Sequence, residues 1–268
     1  MKPFFTLIAI GLSFGTFAQE FSGKATYFTK RSFKKIEEKK DSSSKFSEEI
    51  FEALQKASEK TYILEFTKNE SLYTEEEKLA TPVANSASNM SVSVSISTST
   101  DGKLYKNLQE NYSLTESDYL GKTFVITDSL HHSGWELSTE TKQIGNYTAY
   151  KATKTEKAKQ LNTKENTGNL TIIDSNELED LVYTAWYTPE IPIPNGPEKF
   201  GGLPGLILEL HTNNMVYLCS EIELNPEKTI QIKAPKGKKI TQEAFDKILE
   251  KRFKDGNIIY ETETRIIN

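Results

Sequence analysis

The side chains best suited to chemistry are few: three histidines and one cysteine in 268 residues, with carboxylates scattered among them. His131 and His132 stand together in Asp128-Ser-Leu-His-His-Ser133, which reads as a turn between strands. Neighbours on a strand point to opposite faces, so the pair could share a metal only from a loop. His211 is the remaining histidine and lies 79 positions beyond His132, so the spacing predicts structural or surface roles for all three. Glu140, Glu190, Glu198 and Glu209 flank a proline-rich segment and are expected to hydrogen-bond its backbone. Cys219 closes the strand-like run Met215–Cys219 and is expected to be a buried, inert thiol; with no second cysteine, no internal disulfide can form. The chain has no HExxH, GxSxG, P-loop or CxxC. These residues predict a non-catalytic protein with no metal and no cofactor; a hydrolase without a readable motif is the weak alternative.

A second group could bind rather than react. Trp135, Trp186, Tyr187, Phe200 and Leu203, with Leu206 and Ile207, could line an apolar groove, or could fill the core beneath a loop. Around them runs Trp186–Leu210, which holds Pro189, Pro192, Pro194, Pro197 and Pro204, five of the nine prolines. Proline fixes φ and lacks an N–H, so this stretch can be neither helix nor central strand. It is too apolar for a solvated linker, and reads as a structured, polyproline-like loop pressed onto a sheet. Gly201, Gly202 and Gly205 around Pro204 predict positive φ or close backbone approach, and with Pro189 they form the architectural motif.

Three blocks carry a resemblance. Gly202-Leu-Pro-Gly-Leu-Ile207 matches the signature of the GLPGLI family, secreted proteins of Bacteroidota-type bacteria. Trp135-Glu-Leu-Ser-Thr-Glu-Thr-Lys-Gln-Ile-Gly145 with Tyr147 and Lys151-Ala-Thr153, and Ala185-Trp-Tyr-Thr-Pro-Glu-Ile-Pro-Ile-Pro194, resemble two upstream blocks of the same family. The resemblance implies one domain over about 21–253 and carries no chemistry to transfer. The chain departs from the family twice, with Ala149 where many relatives have Cys, and with 154–180 as an expanded insert.

The start of the chain predicts an address. Lys2, the apolar run Phe4–Leu12 and the small-residue site Thr16-Phe-Ala18 form a secretory signal over 1–18. No cysteine follows the apolar run, so the expected product is a periplasmic protein and not a lipoprotein. Removing those 18 residues, whose only charge is Lys2, takes 268 residues at net −5 to 250 residues at net −6. That acidic balance argues against nucleic acid and anionic membrane surfaces as default partners. No later run reaches the roughly 18 apolar residues of a membrane-spanning helix.

The elements that must position these residues follow from periodicity. Strands are expected at 21–30, 62–66, 71–74, 111–115, 123–127, 134–138, 147–152, 182–187, 206–211, 215–224 and 229–233. Amphipathic helices are expected at 45–59, from Phe46, Ile50 and Leu54, and from Thr241 to about Lys254, with Phe245, Ile248, Leu249 and Phe253 as its buried stripe. Segments 76–100 and 154–180 read as mobile loops, although Met90–Ser97 alternates well enough for an edge strand. The fold predicted is α+β in a single domain over 19–268. A large, mostly antiparallel, curved sheet forms an open half-barrel like that of periplasmic lipoprotein carriers, with two amphipathic helices. The function expected is non-catalytic binding or carriage of an apolar small molecule or an extended peptide. The alternative is docking onto an outer-membrane protein, such as a TonB-dependent receptor, through the proline loop or a sheet edge.

Overall fold

Side chains alternate between buried and half-buried along the central strands, and this period of two sets the architecture. In Ser22–Arg31 (β1), Ala25, Tyr27 and Thr29 are buried while the residues between them are not. The computed structural model describes residues 21–31, 59–76, 102–119, 121–130, 134–166 and 169–254. The predicted signal at 1–18, residues 45–58 of the expected helix, residues 77–100 of the expected loop and His131–His132 lie outside the described residues.

The remaining strands are Lys60–Thr67 (β2), Glu70–Glu75 (β3), Leu104–Asn107 (β4), Tyr112–Tyr119 (β5), Lys122–Ser129 (β6), Glu136–Ile144 (β7), Tyr147–Asn166 (β8), Asn169–Thr188 (β9), Leu206–His211 (β10), Met215–Leu224 (β11) and Lys238–Thr241 (β12). All twelve join one open sheet in the order β12-β6-β5-β4-β3-β2-β1-β11-β10-β9-β8-β7. Two antiparallel meanders, β1 to β6 and β7 to β11, meet at the β1–β11 pair; β12 adds in parallel beside β6.

This order forces curvature. Six residues, 130–135, connect β6 to β7, which stand ten strand positions apart. A flat sheet would separate them by about 48 Å, whereas the link reaches about 25 Å at full stretch. The sheet must therefore curl until its two ends approach, as an open half-barrel.

The concave face holds the main core. Tyr27, Tyr62, Leu64, Phe66, Tyr73, Leu104, Tyr187, Leu210 and Tyr217 pack there with Ile191, Ile193, Leu203 and Ile207. Tyr62 and Tyr73 stack at 4.9 Å, and Tyr27 meets Tyr73 edge-on at 6.3 Å. On the other face of β4–β6, Tyr105, Leu114 and Val125 form a small cluster under Ile232. The helix Gln242–Lys254 (α1) caps the β6 end through Phe245, which packs on Phe124 and Ile126. Thr241 Oγ1 accepts from the Ala244 amide at 3.2 Å, as its N-cap position predicts. Ile248, expected in the buried stripe, is exposed, because a helix lying on one strand edge buries a narrower face than one inside a core.

Two further expectations change. Residues 154–180 are not a loop: β8 and β9 stay paired from Tyr150↔Tyr187 out to Asn166↔Asn169. Beyond Thr153 and Thr184 these two strands pair only with each other among the described residues, and their sequence lacks the apolar alternation that marks a half-buried sheet strand. Thr229–Lys233 is not a strand either; residues 226–237 join no strand pair, and are anchored by Ile232 and the buried Pro235.

The tyrosine stack gives a pH prediction. Burial pushes the Tyr27, Tyr73 and Tyr217 hydroxyls well above their ordinary value of 10.0. The folded state keeps protons that the unfolded chain loses, so this stabilisation is complete below pH ~10 and is lost above it. Tm should fall on raising the pH above ~10. Absorbance titration of the twelve tyrosines should show these three ionising only as the protein unfolds.

Candidate functional site

The segment that the sequence singled out is the 17-residue connection Pro189–Gly205 between the neighbouring strands β9 and β10. Ile191, Ile193 and Asn195 point into the fold while Pro192 and Pro194 point out, so the Ile-Pro repeat behaves as an extended ribbon with one buried edge. Backbone bonds from Leu206 N to Ile191 O (3.0 Å), Ile207 N to Asn195 O (2.9 Å) and Gly202 N to Pro194 O (3.0 Å) fold the loop back on itself. Gly202 has φ 82°, where a side chain would be strained. A Cβ at Gly205 would lie 2.0 Å from the Thr188 carbonyl oxygen, so the turn into β10 admits only glycine.

Proline carbonyls accept but proline nitrogens cannot donate, which leaves the loop short of donors. Lys106 supplies them. Its fully buried Nζ, on β4, donates to the carbonyls of Gly196 (2.8 Å), Glu198 (2.6 Å) and Phe200 (3.2 Å). An ammonium has three N–H groups and all three are used. Burial pushes the Lys106 amine down to about 7, while the Glu198 carboxylate opposes that shift. The Glu198 carboxyl is itself raised by burial; the Tyr217 hydroxyl, donating to Oε1 at 2.6 Å, lowers it in part. Tyr27 OH donates to Ile207 O at 2.7 Å, and Trp135 Nε1 to Gly201 O at 3.0 Å, which fixes the loop at both margins.

The five candidate ligand contacts do not share one surface. Tyr187 and Leu203 are buried in the main core, with Trp135 and Phe200 packed against it. Phe200 also meets Tyr183 at 5.2 Å. Trp186 lies on the opposite face, because it alternates with the buried Ala185 and Tyr187 along β9. There Lys142 Nζ sits 4.3 Å from its ring and bonds Glu209 Oε2 at 2.7 Å, and Glu209 Oε1 meets His211 Nε2 at 2.6 Å. Burial raises the Glu209 carboxyl, but Lys142 and His211 outweigh that and hold it below its usual value. Four of the five side chains thus spend their surface on holding the loop, and the fifth takes part in an ionic cluster behind the sheet.

The carboxylates do not serve the loop backbone as expected. Glu190 accepts from the Thr148 amide on β8, Glu140 pairs with Lys151, Glu198 takes the Tyr217 hydroxyl, and Glu209 takes Lys142 and His211. A carboxylate can only accept, so it cannot satisfy a loop whose surplus is carbonyls. Lys106 went unnoticed because a lysine in a short strand reads as solvated; its parity with the buried Leu104 was the available signal. Cys219 packs against the core, and burial pushes its thiol up to about 12, well away from a reactive thiolate. Among the described residues no group of three or more His, Cys, Asp and Glu stands together to hold a metal ion.

Fold and site together define an open, mostly antiparallel sheet whose concave face is closed by a lysine-clamped proline loop. Residues 135–209 match a family described as "Protein of unknown function (Porph_ging)", and that stretch contains the whole loop and both aromatic blocks. No curated protein matches the chain. Among solved structures, two crystal forms titled "Structure of PNGF-II", in space groups C2 and P21, are similar at 14% and 12% identity, each with a TM-score of 0.49. They match 86% and 87% of this chain, which spans about one third of theirs, 33% and 34%.

Two substitutions test this account. Lys106→Met removes the donors and leaves three carbonyls in the core, so thermal or denaturant unfolding should show a loss of about 3 kcal/mol or more. An unchanged midpoint would mean that the loop is held some other way. Gly205→Val should cost several kcal/mol, since about 1–3 kcal/mol of backbone strain adds to the clash with Thr188; calorimetry against wild type measures it.

Proposed function

We propose that this protein is a non-catalytic periplasmic binding protein that takes up an extended peptide or partner strand along the β8–β9 ribbon, as an accessory to an outer-membrane protein. We also assign it to the GLPGLI family, because residues 135–209 span all three of the blocks that carry the resemblance. One observation carries the functional reading. β8 last pairs with β7 at Thr153, and β9 last pairs with β10 at Thr184, yet the two strands continue together for 13 and 15 residues. That ribbon is about 43 Å long at 3.3 Å per residue.

A two-stranded ribbon is marginal in water, and both of its edges offer unpaired backbone groups, which is the geometry of strand addition. Asn213 Oδ1 already takes the Val182 amide at 3.3 Å, where the body of the fold ends. Leu178 and Val182, four apart and so on one face, are 53% and 50% exposed and offer apolar contacts to an added strand. Carriage of an apolar small molecule draws less support, since the aromatic residues expected to line its groove are used in holding the proline loop.

A photo-crosslinking residue in place of Leu178 or Val182, in cells that make the protein, should give one discrete adduct with an envelope protein. The same residue in place of Lys68, exposed in the β2–β3 turn, should not. Equal labelling from all three positions, or none from the ribbon, would refute the reading. With the photo-crosslinking residue at the exposed Asp180 instead, Leu178→Ala with Val182→Ala should abolish the adduct while changing stability by no more than about 0.5 kcal/mol per site.

A further inference from the structure

The chain is acidic overall, at net −5, yet its twelve residues 228–239 contain Lys228, Lys233, Lys236, Lys238 and Lys239 and no carboxylate. The rest of the chain therefore carries −10 against the +5 of this one segment. All five lysines are exposed. Among the described residues none of the five forms an ion pair, and none has a further partner. Surface lysines in an acidic protein ordinarily find carboxylates nearby; five unpaired ones in twelve positions concentrate positive potential in one place.

The segment is also held in shape. Ile232 packs on the Tyr105–Leu114–Val125 cluster, and Pro235 is buried. Gly237 lies so close to β6 that a Cβ would come within 2.9 Å of the Val125 side chain, after which Lys238–Thr241 pairs with Phe124–Thr127. Fixed in this way, Lys233, Ala234, Pro235, Lys236, Gly237 and Lys239 line a surface concavity of about 600 Å³. The concavity is broad and open to solvent, so a ligand there would be held by charge rather than by enclosure. Gly237 approaches Thr123, the neighbour of the exposed Lys122; the acids nearest the segment are Glu227 and Glu243 in the chain and Asp118 on β5, which takes the Thr123 hydroxyl.

We propose that this concavity is a binding site for a multiply charged anion bearing phosphate groups, held by Lys233, Lys236 and Lys239. A lysine-lined bowl with no internal counter-ion gains most from a ligand that brings several charges at once. The same chemistry occurs in a phospholipid headgroup and in a soluble polyphosphate, and the test separates the two.

Tripolyphosphate is titrated into the full chain by calorimetry, and flotation is measured with vesicles of phosphatidylglycerol in phosphatidylcholine against phosphatidylcholine alone. We expect binding at low salt that weakens as salt is raised, because exposed charges are screened over about 10 Å at 0.1 M. The triple variant Lys233→Gln, Lys236→Gln, Lys239→Gln should bind at least about 10-fold more weakly. The control Lys30→Gln, Lys68→Gln, Lys157→Gln makes the same change of charge elsewhere and should bind as wild type. Tripolyphosphate binding without flotation assigns the site to soluble anions, and flotation without tripolyphosphate binding assigns it to headgroups. Failure of both probes, or equal loss in the two triple variants, overturns the proposal.

Discussion

One buried ammonium group holds the concave side of this protein together. The loop Pro189–Gly205 has five prolines, each contributing a carbonyl and no amide hydrogen, so it enters the core with more acceptors than its own backbone can satisfy. Lysine is the complementary side chain, with three donors and no acceptor, and Lys106 points all three at loop carbonyls. The cost of burying that charge is offset by those bonds and by the Glu198 carboxylate, which Tyr217 in turn holds in place. Since Lys106 is on β4 and the loop springs from β9 and β10, this one side chain ties the two meanders to each other across the concavity.

The clamp works only because the sheet curls. Six residues between β6 and β7 cannot span ten strand positions of a flat sheet, so the connection itself brings the far ends together. Curling creates an inner face on which the loop packs through Ile191, Ile193 and Leu203. Tyr187 and Leu203 are consumed in that layer, and Trp135 is fixed by its bond to Gly201. What the core uses is no longer available to a ligand, and this moves the functional reading outward, to the ribbon and the lysine-rich segment. Both are peripheral to the clamp, so each can be altered without dismantling the body of the fold.

The matched family segment, 135–209, includes the parts that build the closure: the edge strand β7, the long β8–β9 hairpin, the loop and the start of β10. Its motif residues have structural reasons to be what they are. Gly205 is required by the Thr188 carbonyl, Gly202 by its positive φ, and the Ile-Pro alternation by the need to bury one edge of an extended chain. A signature sequence in this protein is thus a signature of architecture.

Local sequence determined a good deal. Period-two alternation located β1, β2, β3, β10 and β11 within a residue or two; proline and glycine spacing located the loop and its turn, and Thr241 located the start of α1. These are properties of adjacent residues, and adjacency is what a sequence records. The partners of Lys106 and Glu198, and the Lys142 partner of Glu209, were illegible because they come from other segments of the chain. The side of the sheet on which Trp186 falls depended on strand parity that the flanking aromatic residues concealed. The β8–β9 ribbon was unreadable for another reason: its polar, lysine-rich sequence carries no hydrophobic alternation, and only cross-strand pairing makes it a strand. Tertiary structure alone decided which aromatic residues were core and which polar residues were paired, because burial and charge pairing are properties of the closed sheet rather than of any segment in it.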